Sequence, residues 1–219
     1  MNGLRLILYI LGLYFAFAAG SIYIRNQPSA PPSSRKRFPL PPATVLLLLA
    51  IGIPSVLQFF FPALLSALER DYERFLQGDW WRLISPLFVQ DGGVAGTVFN
   101  LIGLALVGSV AERIWNRRLL FIVFFTGGIL AEIVGFLWQP IGAGNSVGNF
   151  SLAASIAVAC LTRSAPKPVR ILAILALGAD AILLGLQDIH GAAAIFGGIL
   201  ALLMSRFWKE RKRVLPHDG

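Results

Sequence analysis

A chain of 219 residues that is 56% hydrophobic and 14% charged, with a mean hydropathy of +0.72, lies outside the range of soluble globular proteins and reads as a polytopic membrane protein. Its 19 lysines and arginines outnumber 11 acids, for a net charge of +8, but they fall in short clusters between apolar runs, which is the pattern of membrane orientation rather than of nucleic-acid binding. The single cysteine, Cys160, excludes an intramolecular disulfide.

In chain order, Leu4–Ile24 is an apolar run of spanning length, interrupted only by Arg5. Its Ala16–Gly20 stretch also resembles a signal-peptide cleavage site. Arg25–Pro42 is a linker, because Pro28, Pro31, Pro32, Pro39, Pro41 and Pro42 forbid a helix, and it carries the basic cluster Arg35-Lys36-Arg37. Ala43–Pro62 is a second span, with Pro54 expected to kink it. Ala63–Phe88 is amphipathic and charged and contains Trp80-Trp81, so it is expected to lie in the membrane interface rather than to cross. Val94–Ala111, Leu119–Trp138, Ser146–Leu161, Val169–Gly185 and Ile189–Trp208 complete the spans, and only Glu132 and Asp180 place an acid well inside one.

The loops then set the orientation. Arg35–Arg37, the Arg113/Arg117/Arg118 loop, the Arg163/Lys167/Arg170 loop and the Lys209–Arg213 tail all fall on one side if every span crosses once. The positive-inside rule makes that side cytoplasmic and puts Met1 outside. Cleavage of the first run as a signal peptide would export the Arg35–Arg37 linker and invert every later loop, so the run is read as a retained helix.

Two short patches concentrate the chemistry. Gly142-Ala143-Gly144-Asn145-Ser146-Val147-Gly148-Asn149-Phe150 is a glycine-rich loop running into a helix, which sets Ser146 at a helix N-terminus where unpaired N–H groups and the dipole favour an oxyanion. Asp188-Ile189-His190-Gly191 opens the last span, whose early face reads His190, Ala193, Ala194, Gly197, Gly198, small enough for two helix backbones to approach closely. A serine and an imidazole within hydrogen-bond reach make a nucleophile and its base.

The surrounding residues resemble the rhomboid intramembrane serine proteases. Gln77-Gly78-Asp79-Trp80-Trp81-Arg82-Leu83-Ile84-Ser85-Pro86-Leu87-Phe88 is similar to the family's Trp-Arg loop. Asn100 is similar to its second-helix asparagine, and Gly108-Ser109-Val110-Ala111-Glu112 to its Gly-x-x-x-Glu ending. Gly144-x-Ser146 with Phe150 resembles the serine motif, and His190 with Gly197 the last-helix histidine. The resemblance implies an all-α, six-helix rhomboid-like domain over residues 43–208. One extra transmembrane helix (1–24), the linker (25–42) and a basic cytoplasmic tail (209–219) complete the chain. It implies a Ser146–His190 dyad that cleaves transmembrane segments of other proteins, with Asn100 stabilising the oxyanion and Gly144 and Phe150 in support. Phe150 falls one turn below Ser146, and from spacing alone it is equally a packing or lipid-facing aromatic. No cofactor or metal is implied, and the partners are the bilayer and transmembrane substrates. The location is a multi-pass protein of a bacterial cell membrane.

The departures from the family pattern are Gly96, where a histidine usually assists the oxyanion, and Val147, where glycine usually follows the serine. A further usual histidine aligns with Gln90 or Asp91. The Asn145 and Asn149 amides are candidates to compensate. These departures favour the rival reading, a rhomboid-like pseudoenzyme that binds transmembrane helices without cutting them. Ser151 and Ser155 read as packing residues, Glu132 and Asp180 as structural hydrogen-bonding acids. His217 reads as a solvated tail residue, and Asp188 as a loop charge, since positions i and i+2 on a helix point to different sides.

Overall fold

The computed structural model describes residues 3–27, 40–163 and 165–214. The Arg35–Arg37 cluster and His217 lie outside the described residues. Helices α1 (Gly3–Arg25), α5 (Gly93–Trp115), α6 (Arg117–Trp138), α8 (Lys167–Gly185) and α9 (Ile189–Val214) are long and apolar enough to cross a membrane; α2 (Pro42–Leu57) and α7 (Ser146–Thr162) are apolar but shorter. The architecture is thus helical and polytopic, six core helices with α1 added.

Helix α2 stops at Leu57, short of the expected Pro62. The C-cap Gln58 keeps a helical backbone, and its side chain exchanges two hydrogen bonds with the Gln90 backbone: Gln58 Nε2 donates to Gln90 O at 2.7 Å, and Gln90 N–H donates to Gln58 Oε1 at 2.9 Å. The other end of α2 is fixed by Glu112 of α5. Its carboxylate accepts from Ala43 N–H (3.2 Å), Thr44 N–H (2.7 Å) and the Thr44 hydroxyl (2.8 Å), satisfying orphan donors of the first turn.

Ala63–Phe88 is folded into short pieces: α3 (Ala63–Leu68), β1 (Arg70–Asp71), α4 (Tyr72–Leu76) and 3₁₀ turns at Trp80–Leu83 and Ser85–Phe88. Buried Arg82 knits them together. Its Nη1 donates to Ser66 O and Glu69 O, and its Nε to Asp79 Oδ2. Trp80 and Trp81 are 75% and 52% exposed, as residues of an interfacial loop would be. Strand β1 pairs antiparallel with β2 (Ile141–Gly142), Arg70 opposite Gly142, an exception to the all-helical expectation. Arg70 then reaches into α6, where it pairs with buried Glu132 and donates from Nε to Gln139 O at 2.7 Å. Glu132 is therefore the structural acid expected. Asp180 is not: its Oδ1 is buried with no hydrogen-bond partner among the described residues.

Helix α7 is the axis of the bundle. It packs on α9, α6, α5, α1 and α8, and every residue from Val147 to Cys160 is buried. Its small residues make this possible. A Cβ on Gly197 of α9 would lie 2.1 Å from Ser151 O, so the two backbones touch there. Ser151 Oγ donates to Val123 O of α6, and Ser155 Oγ donates to Leu152 O and accepts from Trp115 Nε1. Both serines pack as expected.

Candidate active site

Depth follows from helix length. Helix α7 has 17 residues and α5 has 23, so α7 is shorter by roughly 9 Å at about 1.5 Å per residue. Their C-terminal ends are level, because Arg163 donates to Ile114 O and lies 4.4 Å over the Trp115 ring. The N-terminus of α7 must then begin below the other end of α5. There Asn145 Nδ2 donates to Asn100 O at 3.4 Å and Asn149 Nδ2 to the same oxygen at 2.9 Å. The loop roofing this point includes Gly144, whose N–H donates to Pro86 O. A Cβ on Gly144 would crowd Ser146 Oγ, Asn100 Nδ2 and Gln90 Oε1 at 3.2–3.3 Å, which is the local need for glycine.

Ser146 is the first residue of α7, and its Oγ lies 2.8 Å from His190 Nε2, one residue into α9. Helix α9 is held at that distance by the Gly197 contact described above. The imidazole is 12% exposed, and its Nδ1 lies 2.5 Å from Asp188 Oδ1. A carboxylate can only accept from Nδ1–H, which leaves the Nε2 lone pair directed at the serine hydroxyl.

Asp188 overturns the expectation of a loop charge. It precedes α9 and does not obey helical spacing. Its Oδ1 accepts the His190 backbone N–H at 3.0 Å as a helix cap does, and the same oxygen meets the ring. Its Oδ2 accepts the Tyr9 hydroxyl at 2.6 Å and lies 3.6 Å from Arg5 Nη1. Burial opposes ionisation of this carboxyl, but hydrogen bonding to His190 and its charge, with the Tyr9 hydroxyl, hold it down to about 2.

Aromatic rings enclose the imidazole. Phe150 meets it edge-on with centroids 5.0 Å apart, and Tyr9 lies 4.4 Å away at 47°. Asn100 Nδ2 donates to Gln90 Oε1 at 2.7 Å, which leaves its second hydrogen beside the Gly144 loop. Gln90 is a hub that donates from Nε2 to Asn145 Oδ1 at 2.8 Å and Ser55 Oγ at 3.3 Å. Asp91 instead ties the loop, accepting from Ala143 N–H at 3.0 Å. Asn145 does not serve as the extra donor considered above, since its two amide hydrogens go to Asn100 O and Asn149 Oδ1. At Gly96 a Cβ would meet nothing within 4 Å. Val147 is buried in the core. Among the described residues no group of His, Cys, Asp and Glu is placed to hold a metal ion.

The residues missed in the sequence are Asp188, Tyr9 and Gln90. The Gln90 signal was present as an unresolved one-residue register. For Tyr9 the only trace was an ordinary aromatic in an apolar run.

Comparison with known proteins identifies the family to which this fold belongs. The chain is 31% identical over 72 residues to the rhomboid protease GluP of Bacillus subtilis (strain 168), a stretch covering 33% of this chain and 14% of that protein. It is 25% identical over 163 residues to the rhomboid protease AarA of Providencia stuartii, covering 61% of this chain and 58% of the relative. The chain thus spans less than two thirds of the length of either relative. A family model described as Rhomboid domain matches residues 77–211, from the Trp-Arg loop through α9 and more than half of the chain. On that match, the chain belongs to the rhomboid family.

Proposed function

We propose that this protein is an intramembrane serine endopeptidase that cleaves transmembrane segments of other membrane proteins. The observation that carries the reading is the 2.8 Å approach of Ser146 Oγ to His190 Nε2. Ser146 Oγ attacks the peptide carbonyl carbon while its proton passes to Nε2. The carbonyl oxygen becomes an oxyanion at the N-terminus of α7, where the Ser146 N–H and the Asn100 amide are its donors. Collapse breaks the C–N bond, and His190 returns the proton to the leaving amine. Water then repeats the sequence on the acyl-serine, releasing the acid and restoring the hydroxyl. Asp188 keeps the imidazole in the required tautomer and stabilises the imidazolium, as the carboxylate of a triad does. Gly144 leaves room for the loop to close on the serine, and Phe150 orients the ring.

In this reading the serine lies below the membrane surface, beside the irregular backbone of the preceding loop, which lines a wet cavity. The basic end, bearing Arg113, Arg117, Arg118 and Arg170, faces the cytoplasm, and the loops over Ser146 face outward. Residues 43–208 form the proteolytic domain.

The rival is a pseudoenzyme, and Gly96 is the observation in its favour: a donor is missing where the space for one is open. Purified chain in liposomes with a panel of transmembrane model substrates separates the two. Cleavage by wild type that disappears in Ser146→Ala supports the protease. Intact substrates throughout, with folded protein, support the pseudoenzyme.

A further inference from the structure

Helix α1 lies N-terminal to the 77–211 family match, yet it is built into the site. Its buried face runs Leu8, Tyr9, Gly12, Leu13, Ala16, Ala19, Gly20, Tyr23, against α8, α7 and α5. The glycines set how closely it docks. A Cβ on Gly20 would lie 2.4 Å from Val110 Cγ1 and 2.6 Å from Ile156 Cγ2, and one on Gly12 would lie 3.3 Å from Phe150 Cε1. This approach delivers Tyr9 to His190.

We propose that Tyr9 is a positioning residue for His190, holding Asp188 through its hydroxyl and covering the imidazole with its ring. The proposal rests on the reading of His190 as the general base. The Asp188 side chain is 0% exposed, so its two oxygens depend on protein donors. Oδ1 is occupied by the His190 N–H and Nδ1–H. Oδ2 has the Tyr9 hydroxyl at 2.6 Å, with Arg5 farther off at 3.6 Å. Arg5 is one turn before Tyr9 on the same face of α1 and also donates from Nη2 to Leu186 O at 3.2 Å, pinning the α8–α9 turn that carries Asp188. With the hydroxyl removed, Oδ2 keeps only the longer ion pair, and the carboxylate is free to rotate away from Nδ1. The Tyr9 ring, 4.4 Å from the imidazole and 5.7 Å from Phe150, also keeps water from the Asp188–His190 hydrogen bond.

The chain has two histidines, His190 and His217, so the bond can be watched directly by NMR of full-length, ¹⁵N-histidine-labelled protein in micelles. His190→Gln assigns the signal. Wild type should show a low-field Nδ1–H resonance in slow exchange with water, absent in Asp188→Asn. In Tyr9→Phe, which keeps the ring, it should move upfield and exchange about 10-fold faster, and kcat should fall about 10-fold with KM unchanged. Tyr9→Ala should be more severe on both counts. Wild-type behaviour in both variants overturns the proposal. So does a change confined to Tyr9→Ala, since α1 would then pack on the ring without holding the carboxylate. A chain whose resonance responds as expected but which never cleaves a substrate keeps Tyr9 in this role and loses the protease reading. A chain that cleaves but whose resonance ignores Tyr9 does the reverse.

Discussion

Asp188 Oδ1 accepts both the backbone N–H of His190, at 3.0 Å, and its ring Nδ1–H, at 2.5 Å. One oxygen therefore caps α9 and sets the tautomer of the residue that follows, so the last helix begins and the base is oriented through the same atom. Asp188→Asn tests this. The amide keeps the shape but presents a donor to Nδ1 or loses the second bond, favouring the wrong tautomer. Reaction of Ser146 should slow by about 10²–10⁴-fold with membrane insertion unchanged.

The pH response of this carboxyl has a defined sign. Its folded value, about 2, lies below the ordinary 3.8, so the stability it contributes is fully present above about pH 4 and is lost as pH falls towards 2. The carboxyl itself therefore stays ionised between about pH 8 and pH 5, and no inflection in a profile of Ser146 labelling over that range belongs to it.

The proposed oxyanion site has few donors. In the proposed mechanism Asn100 is the main side-chain donor to the oxyanion, so Asn100→Ala should lower turnover about 10²-fold or more without unfolding the chain. A Cβ at Gly96 meets nothing within 4 Å, and Gly96→His, by adding a donor to the proposed site, should raise kcat. An unchanged rate in Asn100→Ala removes that residue from the site.

Two neighbouring glycines on α9 should behave oppositely. Gly197→Ala drives a Cβ to 2.1 Å from Ser151 O and separates α9 from α7, whereas Gly198→Ala makes an ordinary 3.7 Å contact with Val158 Cγ2. The first should cost about 1–3 kcal/mol in detergent melting. It should also cost about 10²-fold in activity, since the serine and imidazole sit on the two helices being parted. The second should do neither.

Orientation is tested in a Cys160→Ser background. A cysteine at Ala143 should react with an impermeant reagent in intact cells, and one at Ser33 only after the membrane is opened. Reaction of Ser33 from outside contradicts the cytoplasmic placement of the basic loops.

Much of this was legible because polytopic membrane chains write their organisation in hydropathy. The five longest spans are found within a few residues of the runs that announce them. Ser146 and His190 were readable because each opens a helix and each is flanked by glycines that close approach requires. Asp188 was not, because the argument from helical spacing was applied to a residue that precedes the helix. Tyr9 was not, because an apolar helix hides which of its faces will meet a neighbour, and only packing decides that. The β1–β2 pairing is two residues long, too short for any period to show. Gln58, at the end of α2, bonds the Gln90 backbone 32 positions away, a contact that no local rule contains.

The central claim is that His190 activates Ser146. The most direct measurement is covalent labelling of folded protein by a fluorophosphonate, which needs a serine whose proton has somewhere to go and needs no substrate to be known. Wild type should label, Ser146→Ala should not, and His190→Ala should label far more slowly although its serine is intact. Equal labelling of wild type and His190→Ala would contradict the account.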